Sequence, residues 1–143
     1  MIAAIRIKGR VEIPKEIKDT LYLLRLRKKF VCSLYPEEKQ IINMLEKVKA
    51  YIAYGKINDK TLEILIRERG RKLGDKRLSE EEVKRVIEEL KKGKKLKEIN
   101  IIKPFFRLAP PRGGFKKNSK LLWPKGIRGN IGEKINDLIL SMI

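Results

Sequence analysis

The spacing of hydrophobic residues changes repeatedly between a period of two and a period near 3.6 in the first third of the chain. Ala3, Ile5 and Ile7 alternate along a half-buried strand, and the alternate positions, among them Arg6, are predicted to face solvent. The elements that follow complete a β-α-β-α-β order: a helix over 14–29, a strand over 30–34, a helix over 36–48 and a strand over 50–54.

Prolines and charged residues predict where these two helices begin. Pro14 suits a first helical turn, because a proline there loses no hydrogen bond. Pro36 followed by Glu37 suits the start of the second helix, since an acid in the first turn compensates the helix dipole. The buried stripe of the second helix is predicted to comprise Ile41, Ile42, Leu45 and Val48.

The rest of the chain has a mainly helical pattern. Asp59 is expected to cap a helix that Gly70 ends in a left-handed conformation. Ser79 and Glu82 have the spacing of a capping box, in which each side chain bonds the other residue's N–H. A last helical stripe comprises Ile135, Leu138, Ile139 and Met142.

These elements predict an α+β protein in two parts. Residues 1–56 are expected to form a three-stranded sheet with two helices on one face, and right-handed crossovers place the first strand in the middle. The strand directions stay open, because the link into the third strand is short. Residues 57–143 are predicted to be a C-terminal extension of helices and a basic loop rich in proline and glycine.

The net charge of the chain indicates that the protein binds a partner of opposite charge. The chain has 143 residues, with 36 Lys and Arg against 18 Asp and Glu, and no acidic residue lies between Ile99 and Gly132. A net charge of +18 destabilises a compact monomer by self-repulsion, so the excess favours a polyanionic partner. Nucleic acid is preferred over an anionic membrane or an acidic protein. A hyperthermophile's surface, rich in Lys and Glu, explains the density of charge but not its imbalance.

The acid-free stretch contains the first candidates for phosphate contact. Arg112 supplies charge, while Gly113 and Gly114 can adopt positive φ and expose their N–H groups. Phe115 and Trp123 could either stack on an unpaired base or cover the core. The other cations predicted to contact nucleic acid are Arg107, Lys116, Lys117 and Arg128, a corner of Arg25, Arg27, Lys28 and Lys29 at the end of the first helix, and a cluster of Arg69, Arg71, Lys72 and Arg77.

The composition gives no support to catalysis. The chain has no histidine, which removes the usual general base and zinc ligand, and its one cysteine cannot build a metal site. We therefore expect neither enzymatic activity nor a cofactor, a metal or a small-molecule substrate. Cys32 is predicted to be a small buried hydrophobe, and one cysteine fits a reducing cytoplasm. A secretory leader and a membrane span are not expected.

Several runs resemble the large-subunit ribosomal protein L30 family, in the long archaeal form related to eukaryotic ribosomal protein L7. The Pro-Pro-Arg-Gly-Gly run is the most specific of them, and the resemblance covers essentially the whole chain. The matching runs are Ile17-Lys-Asp-Thr-Leu-Tyr-Leu-Leu-Arg-Leu-Arg-Lys, Ile42-Asn-Met-Leu-Glu-Lys-Val-Lys, Leu65-Ile-Arg-Glu-Arg-Gly, Asp75-Lys-Arg, Arg107-Leu-Ala-Pro-Pro-Arg-Gly-Gly and Gly129-Asn-Ile-Gly-Glu-Lys-Ile-Asn-Asp-Leu.

This resemblance implies a non-catalytic protein of the large ribosomal subunit in the cytoplasm. It also implies a ferredoxin-like core, binding to large-subunit ribosomal RNA with the 5S RNA nearby, and contacts with neighbouring ribosomal proteins. The segment from Leu121 to Lys125 follows no family pattern, so Trp123 inherits no role.

Two other functions remain open at this point. A general nucleic-acid-binding or DNA-compacting protein would have the same charge, but it would bind duplex DNA with similar affinity. An RNA-modifying or RNA-cleaving enzyme would need a site of lysine, carboxylate or metal, and no such pattern is present in the sequence.

Overall fold

The predicted β-α-β-α-β order is confirmed in a computed structural model, which describes residues 1–9, 12–72, 74, 76–99, 101–115 and 118–143. The extension adds helices and three strands, so it is less purely helical than the sequence pattern predicts. In chain order the elements are β1 (Ile2–Arg6), α1 (Lys15–Leu23), β2 (Val31–Tyr35), α2 (Lys39–Lys47), β3 (Ile52–Lys56), α3 (Asp59–Arg69), α4 (Glu80–Lys91), β4 (Phe106–Arg107), β5 (Asn118–Leu122), β6 (Gly126–Asn130) and α5 (Lys134–Met142).

The α+β class is confirmed, and the strands form one sheet in the order β4-β2-β1-β3-β6-β5. β1 lies between β2 and β3 as predicted and runs antiparallel to both, which settles the directions that the sequence left open. The extension widens the predicted three-stranded sheet at both edges. β4 pairs with β2 at one edge, and β6 pairs parallel with β3 toward the other.

Both faces of the sheet are covered, so the prediction of a half-buried first strand is wrong. Leu21 and Leu45, from α1 and α2, pack with Ala4 on one face. Leu65 and Ile139, from α3 and α5, belong to the apolar cluster on the other face. Every residue of β1 is buried, because the extension covers the face that the isolated pattern leaves to solvent.

Arg6 shows how this double burial is made possible. Its side chain is only 4% exposed, yet its guanidinium donates to the carbonyl oxygens of Leu26 at 2.9 Å, Lys8 at 2.9 Å and Gly9 at 3.2 Å. A buried cation is tolerated when its donors are hydrogen-bonded. The guanidinium therefore joins the end of β1 to the turn after α1.

The bounds of the first two helices differ from the prediction. α1 ends at Leu23, so the basic corner follows the helix instead of forming its last turn. α2 begins at Lys39, and Glu37 instead accepts a hydrogen bond from the Met1 ammonium at 3.1 Å. That ammonium lowers the pKa of Glu37 by hydrogen bonding and by charge. Ile42 is 40% exposed, so it lies outside the buried stripe.

The capping predictions for α3 and α4 have mixed outcomes. The capping box of Ser79 and Glu82 is confirmed. At α3 the cap is Asn58, whose side chain accepts from the Thr61 N–H at 2.7 Å, and Asp59 is the first helical residue. Gly70 has φ −66°, so the predicted left-handed stop is wrong. A Cβ there would lie 2.4 Å from the Ile66 carbonyl oxygen, so this position needs glycine for close approach.

The two predicted parts of the chain meet closely at the end of β3. Across the predicted boundary, the Asn136 amide donates to the Lys56 carbonyl oxygen at 3.2 Å. A Cβ on Gly55 would lie 2.0 Å from the Gly132 carbonyl oxygen. Independent folding of residues 1–56 stays a prediction.

Candidate nucleic-acid interface

A basic cleft of about 200 Å³ lies where the end of α3 meets the segment that leads into β4. Four of its five lining side chains are cationic and the fifth is aromatic. We call it the β4 cleft, and its lining residues are Arg69, Arg71, Lys103, Phe105 and Arg107.

Backbone pairing positions these residues although they are distant in sequence. β4 is held against β2, with Cys32 opposite Phe106 and Val31 opposite Arg107. Phe106 is fully buried, and successive strand residues point to opposite faces, so Arg107 is exposed. The Lys103 N–H donates to the Arg71 carbonyl oxygen at 2.9 Å, which fixes the α3 end beside the β4 segment.

The predicted cluster in this region is brought only partly into the cleft. Arg71 lines it, with Nη1 donating to the carbonyl oxygens of Glu68 at 3.0 Å and Gly70 at 2.9 Å, so this guanidinium has a fixed position. Lys72 instead forms an ion pair with Glu82, with 2.6 Å between Nζ and the carboxylate oxygen. The hydrogen bond that Lys72 donates in this pair is the largest cause of the lowered pKa of Glu82. Arg77 is exposed, and its backbone forms an isolated antiparallel β-bridge with that of Arg71.

The predicted basic corner divides into one structural and three exposed cations. Arg25 is half-buried: Nε donates to the Pro104 carbonyl oxygen at 3.2 Å and Nη2 to Ser33 Oγ at 3.4 Å. Burial lowers the pKa of the Arg25 guanidinium. Arg25 therefore attaches the corner to the segment around Pro104, which leads into β4. The three exposed cations are Arg27, Lys28 and Lys29.

The loop after β4 has the predicted backbone freedom. Gly113 and Gly114 have φ 75° and 82°, and a Cβ on either would meet nothing within 4 Å. The Gly114 N–H donates to the Pro111 carbonyl oxygen at 3.0 Å, which closes a turn that leaves Arg112 exposed. The positive φ values are therefore confirmed, whereas the predicted exposure of the Gly114 N–H is wrong, because this N–H is engaged within the turn. Two further predicted contacts in this loop, Lys116 and Lys117, lie outside the described residues.

The aromatic residues of the acid-free stretch pack inward. The Phe115 ring lies 6.0 Å from the Phe30 ring, and both Phe115 and Trp123 are partly buried against the core. Of the two roles that the sequence left open for these side chains, the geometry therefore favours packing. Phe106 is fully buried, and Phe105 is partly buried.

Arg128 lies at a different place from the β4 cleft. It belongs to β6, on the far side of β1 from β4 in the strand order. Its Nη1 donates to the Ala50 carbonyl oxygen at 3.0 Å, and burial lowers the pKa of the guanidinium. This arginine therefore joins β6 to the turn before β3.

Acidic side chains pair with cations on other surfaces of the described part of the chain. Lys47 pairs with Glu16 at 2.6 Å, and Lys56 pairs with Glu37 at 3.6 Å. Within the described part of the chain, neither Arg69 nor Arg107 forms an ion pair. Four cationic side chains line this cleft, which favours an anionic group such as a phosphate.

Other kinds of site find no basis among the described residues. Cys32 is fully buried, and this burial raises the pKa of its thiol, which is the opposite of what a nucleophile needs. No group of three or more residues with metal-binding side chains comes together in the ranges that the structure describes. In the same ranges, no helix has the length and hydrophobicity to cross a membrane.

Comparison with known proteins identifies relatives along the whole chain. A family model described as ribosomal protein L30p/L7e matches residues 2–52, from β1 to the start of β3. Three similar proteins are named large ribosomal subunit protein uL30. The protein of Archaeoglobus fulgidus is 43% identical over 99% of both chains. Those of Nanoarchaeum equitans and Aeropyrum pernix are 44% and 42% identical, each over 100% of this chain and 99% of the relative.

Proposed function

The chain belongs to the ribosomal protein L30p/L7e family, and we propose that it is a structural constituent of the large ribosomal subunit that binds large-subunit ribosomal RNA. The β4 cleft is the principal contact in this proposal. We propose further contacts from the exposed corner of Arg27, Lys28 and Lys29 and from Arg112, Lys116 and Lys117.

The β4 cleft carries the proposal because four cations line it and the guanidinium of one of them is held in place. Two backbone carbonyl oxygens hold the Arg71 guanidinium, and strand pairing positions the backbone of Arg107 beside it. Guanidinium groups bind phosphate oxygens in a planar, bidentate geometry, and a fixed guanidinium loses less entropy on binding. The cleft therefore suits an RNA backbone phosphate.

Further assignments follow from the family. We propose cytoplasmic ribosomes as the location, neighbouring ribosomal proteins as further partners, and a position near the 5S RNA. The family consists of ribosomal proteins, which are structural components, so the proposal includes no catalytic step. The cations Arg25 and Arg128 act in it mainly by holding the binding surface together.

Binding of large-subunit RNA over a salt series tests the proposal. Each neutralised phosphate contributes about 0.7–0.9 to the log–log salt slope, so the double substitution Arg69→Gln and Arg107→Gln should reduce the slope by about 1.5. The matched control is Lys47→Gln with Lys56→Gln, which removes the same charge from ion-paired positions and should change the slope by less than about 0.5.

The result distinguishes a located contact from diffuse charge. Equal losses of slope in the two double variants would contradict the role of the cleft. The alternative of a DNA-compacting protein predicts that duplex DNA competes with the RNA at similar concentration. We expect duplex DNA to compete poorly at moderate salt and the protein to sediment with large subunits.

A further inference from the structure

An aromatic side chain is exposed at the end of α1, although this chain has few aromatic residues. Tyr22 is 59% exposed, and the neighbouring Leu23 is 69% exposed. Large apolar side chains in such a position indicate contact with another molecule when they lie within an organised site. The surroundings of Tyr22 form such a site.

Tyr22 is already stacked on one cation and lies beside others. The Arg27 guanidinium carbon lies 4.0 Å from the centre of the Tyr22 ring, a close cation–π contact. Tyr22 and Arg27 also line a cleft of about 200 Å³ with Lys18 and Arg6. Lys18 lies one helical turn before Tyr22, so its ammonium can reach a phosphate next to the stack. The four lining residues include no carboxylate.

We propose that this stack, Tyr22 with Arg27, binds an unpaired nucleobase of RNA, with Lys18 contacting the adjoining phosphate. Aromatic rings and guanidinium planes both stack on exposed bases, and such stacking is typical of single-stranded RNA recognition. A base in a continuous duplex has no free face. The inference rests on the proposed function and adds the chemical class of RNA that this corner selects.

The charge around the stack favours RNA over an apolar protein partner. Lys28 and Lys29 are exposed on the same corner, and no ion pair engages Arg27 in the part of the chain that the structure describes. An apolar protein surface placed here would have to desolvate these cations without compensation. The two aromatic residues considered from the sequence, Phe115 and Trp123, are partly buried against the core, whereas Tyr22 is 59% exposed.

Two RNA probes test the inference with the full-length protein. One is a single-stranded, adenine-rich RNA of about 12 nucleotides, within the size range of single-strand sites, that carries one 2-aminopurine. The other is a fully paired RNA hairpin with the same number of phosphates. Affinity and salt slope are measured for both, and stacking is followed by quenching of the 2-aminopurine fluorescence.

The variants separate stacking from charge and from apolar contact. Tyr22→Ala should weaken binding of the single strand by about 5- to 100-fold and reduce the quenching, since one stacked base contributes about that much. It should leave hairpin affinity within about twofold and both salt slopes unchanged, because no charge is removed. Tyr22→Phe should keep the affinity for the single strand, while Tyr22→Leu should lose it as Tyr22→Ala does. Arg27→Lys, which keeps the charge but loses the plane, should weaken only the single strand.

Three results would overturn the inference: single-strand binding unchanged in Tyr22→Ala, equal losses on both probes, or Tyr22→Leu binding as tightly as the unchanged protein. The last result would indicate apolar contact with a protein. In each case salt-dependent binding of the unchanged protein would leave the proposed function standing. If the unchanged protein bound neither probe, the proposed function and this inference would both fail.

Discussion

Arg25 donates a hydrogen bond from Nε to the carbonyl oxygen of Pro104, 79 residues later in the chain. Ser33 Oγ donates to the same oxygen at 3.0 Å. Two basic segments that are separate in the sequence therefore form one surface, since the corner after α1 is attached to the segment that leads into β4.

Removal of this attachment should reduce stability more than loss of an exposed cation. We expect Arg25→Ala to lower the free energy of unfolding by about 1–2 kcal/mol, because charged hydrogen-bond donors are lost at a half-buried position. Lys28→Ala, on the same corner but exposed, should change it by less than about 0.5 kcal/mol. Urea denaturation measures both, and equal effects would contradict the structural role of Arg25.

The contact between Gly55 and Gly132 gives a second prediction. A Cβ at Gly55 would meet backbone at 2.0 Å, so we expect Gly55→Ala to lower the free energy of unfolding by about 2 kcal/mol or more. At Gly9 an added Cβ meets nothing within 4 Å. Gly9→Ala should therefore be neutral or stabilising by up to about 1 kcal/mol. Similar thermal melts for the two variants would show that β3 and the extension are not packed this closely.

The ion pair between Lys72 and Glu82 should be visible in a titration. Lys72 lowers the pKa of Glu82, so in Lys72→Met this pKa should rise toward its ordinary value of 4.5. A carboxyl with a lowered folded-state pKa stabilises the fold at neutral pH, and this contribution is lost as the pH falls through that pKa. Carboxyl NMR measures the shift, and an unchanged pKa in the variant would mean that the pair does not persist in solution.

The loop after β4 is tested by a triple substitution. Replacement of Arg112, Lys116 and Lys117 by Gln should reduce the salt slope of RNA binding by about 2–3 units without unfolding the protein. Replacement of three lysines near the end of α4 should change it by less than about one unit, partly because Lys94 already pairs with Glu89 at 3.7 Å. Equal slope losses would mean that the loop has no special role. The control residues are Lys91, Lys92 and Lys94.

Local patterns predicted the elements that depend on neighbouring residues. The capping box of Ser79 and Glu82 and the positive φ of Gly113 and Gly114 depend on short-range geometry, and all were predicted correctly. The central position of β1 also followed from the order of elements. Such features depend little on distant parts of the chain.

Features that depend on distant contacts were predicted less well. Arg6 looked like a solvent-facing residue, because nothing in its own strand shows that a turn 20 residues later supplies a carbonyl acceptor. Gly70 was assigned a left-handed φ, whereas its need for glycine comes from close backbone packing. The β4 cleft brings Arg69 near Arg107 through the pairing of β4 with β2 and the hydrogen bond from the Lys103 N–H to the Arg71 carbonyl oxygen, which no spacing in the sequence indicates. Exposure of Tyr22 follows only from the packed fold.

Ultraviolet crosslinking of the protein within purified large ribosomal subunits tests the central claim most directly. Mass spectrometry of the crosslinked peptides should place ribosomal RNA on residues 69–77 and 103–114 and on the corner near Tyr22. Peptides from α2 and α4 should be nearly free of crosslinks, since Lys47 pairs with Glu16 and Arg85 pairs with Glu89. Crosslinks concentrated on α2 and α4, with none at the cleft, would contradict the account.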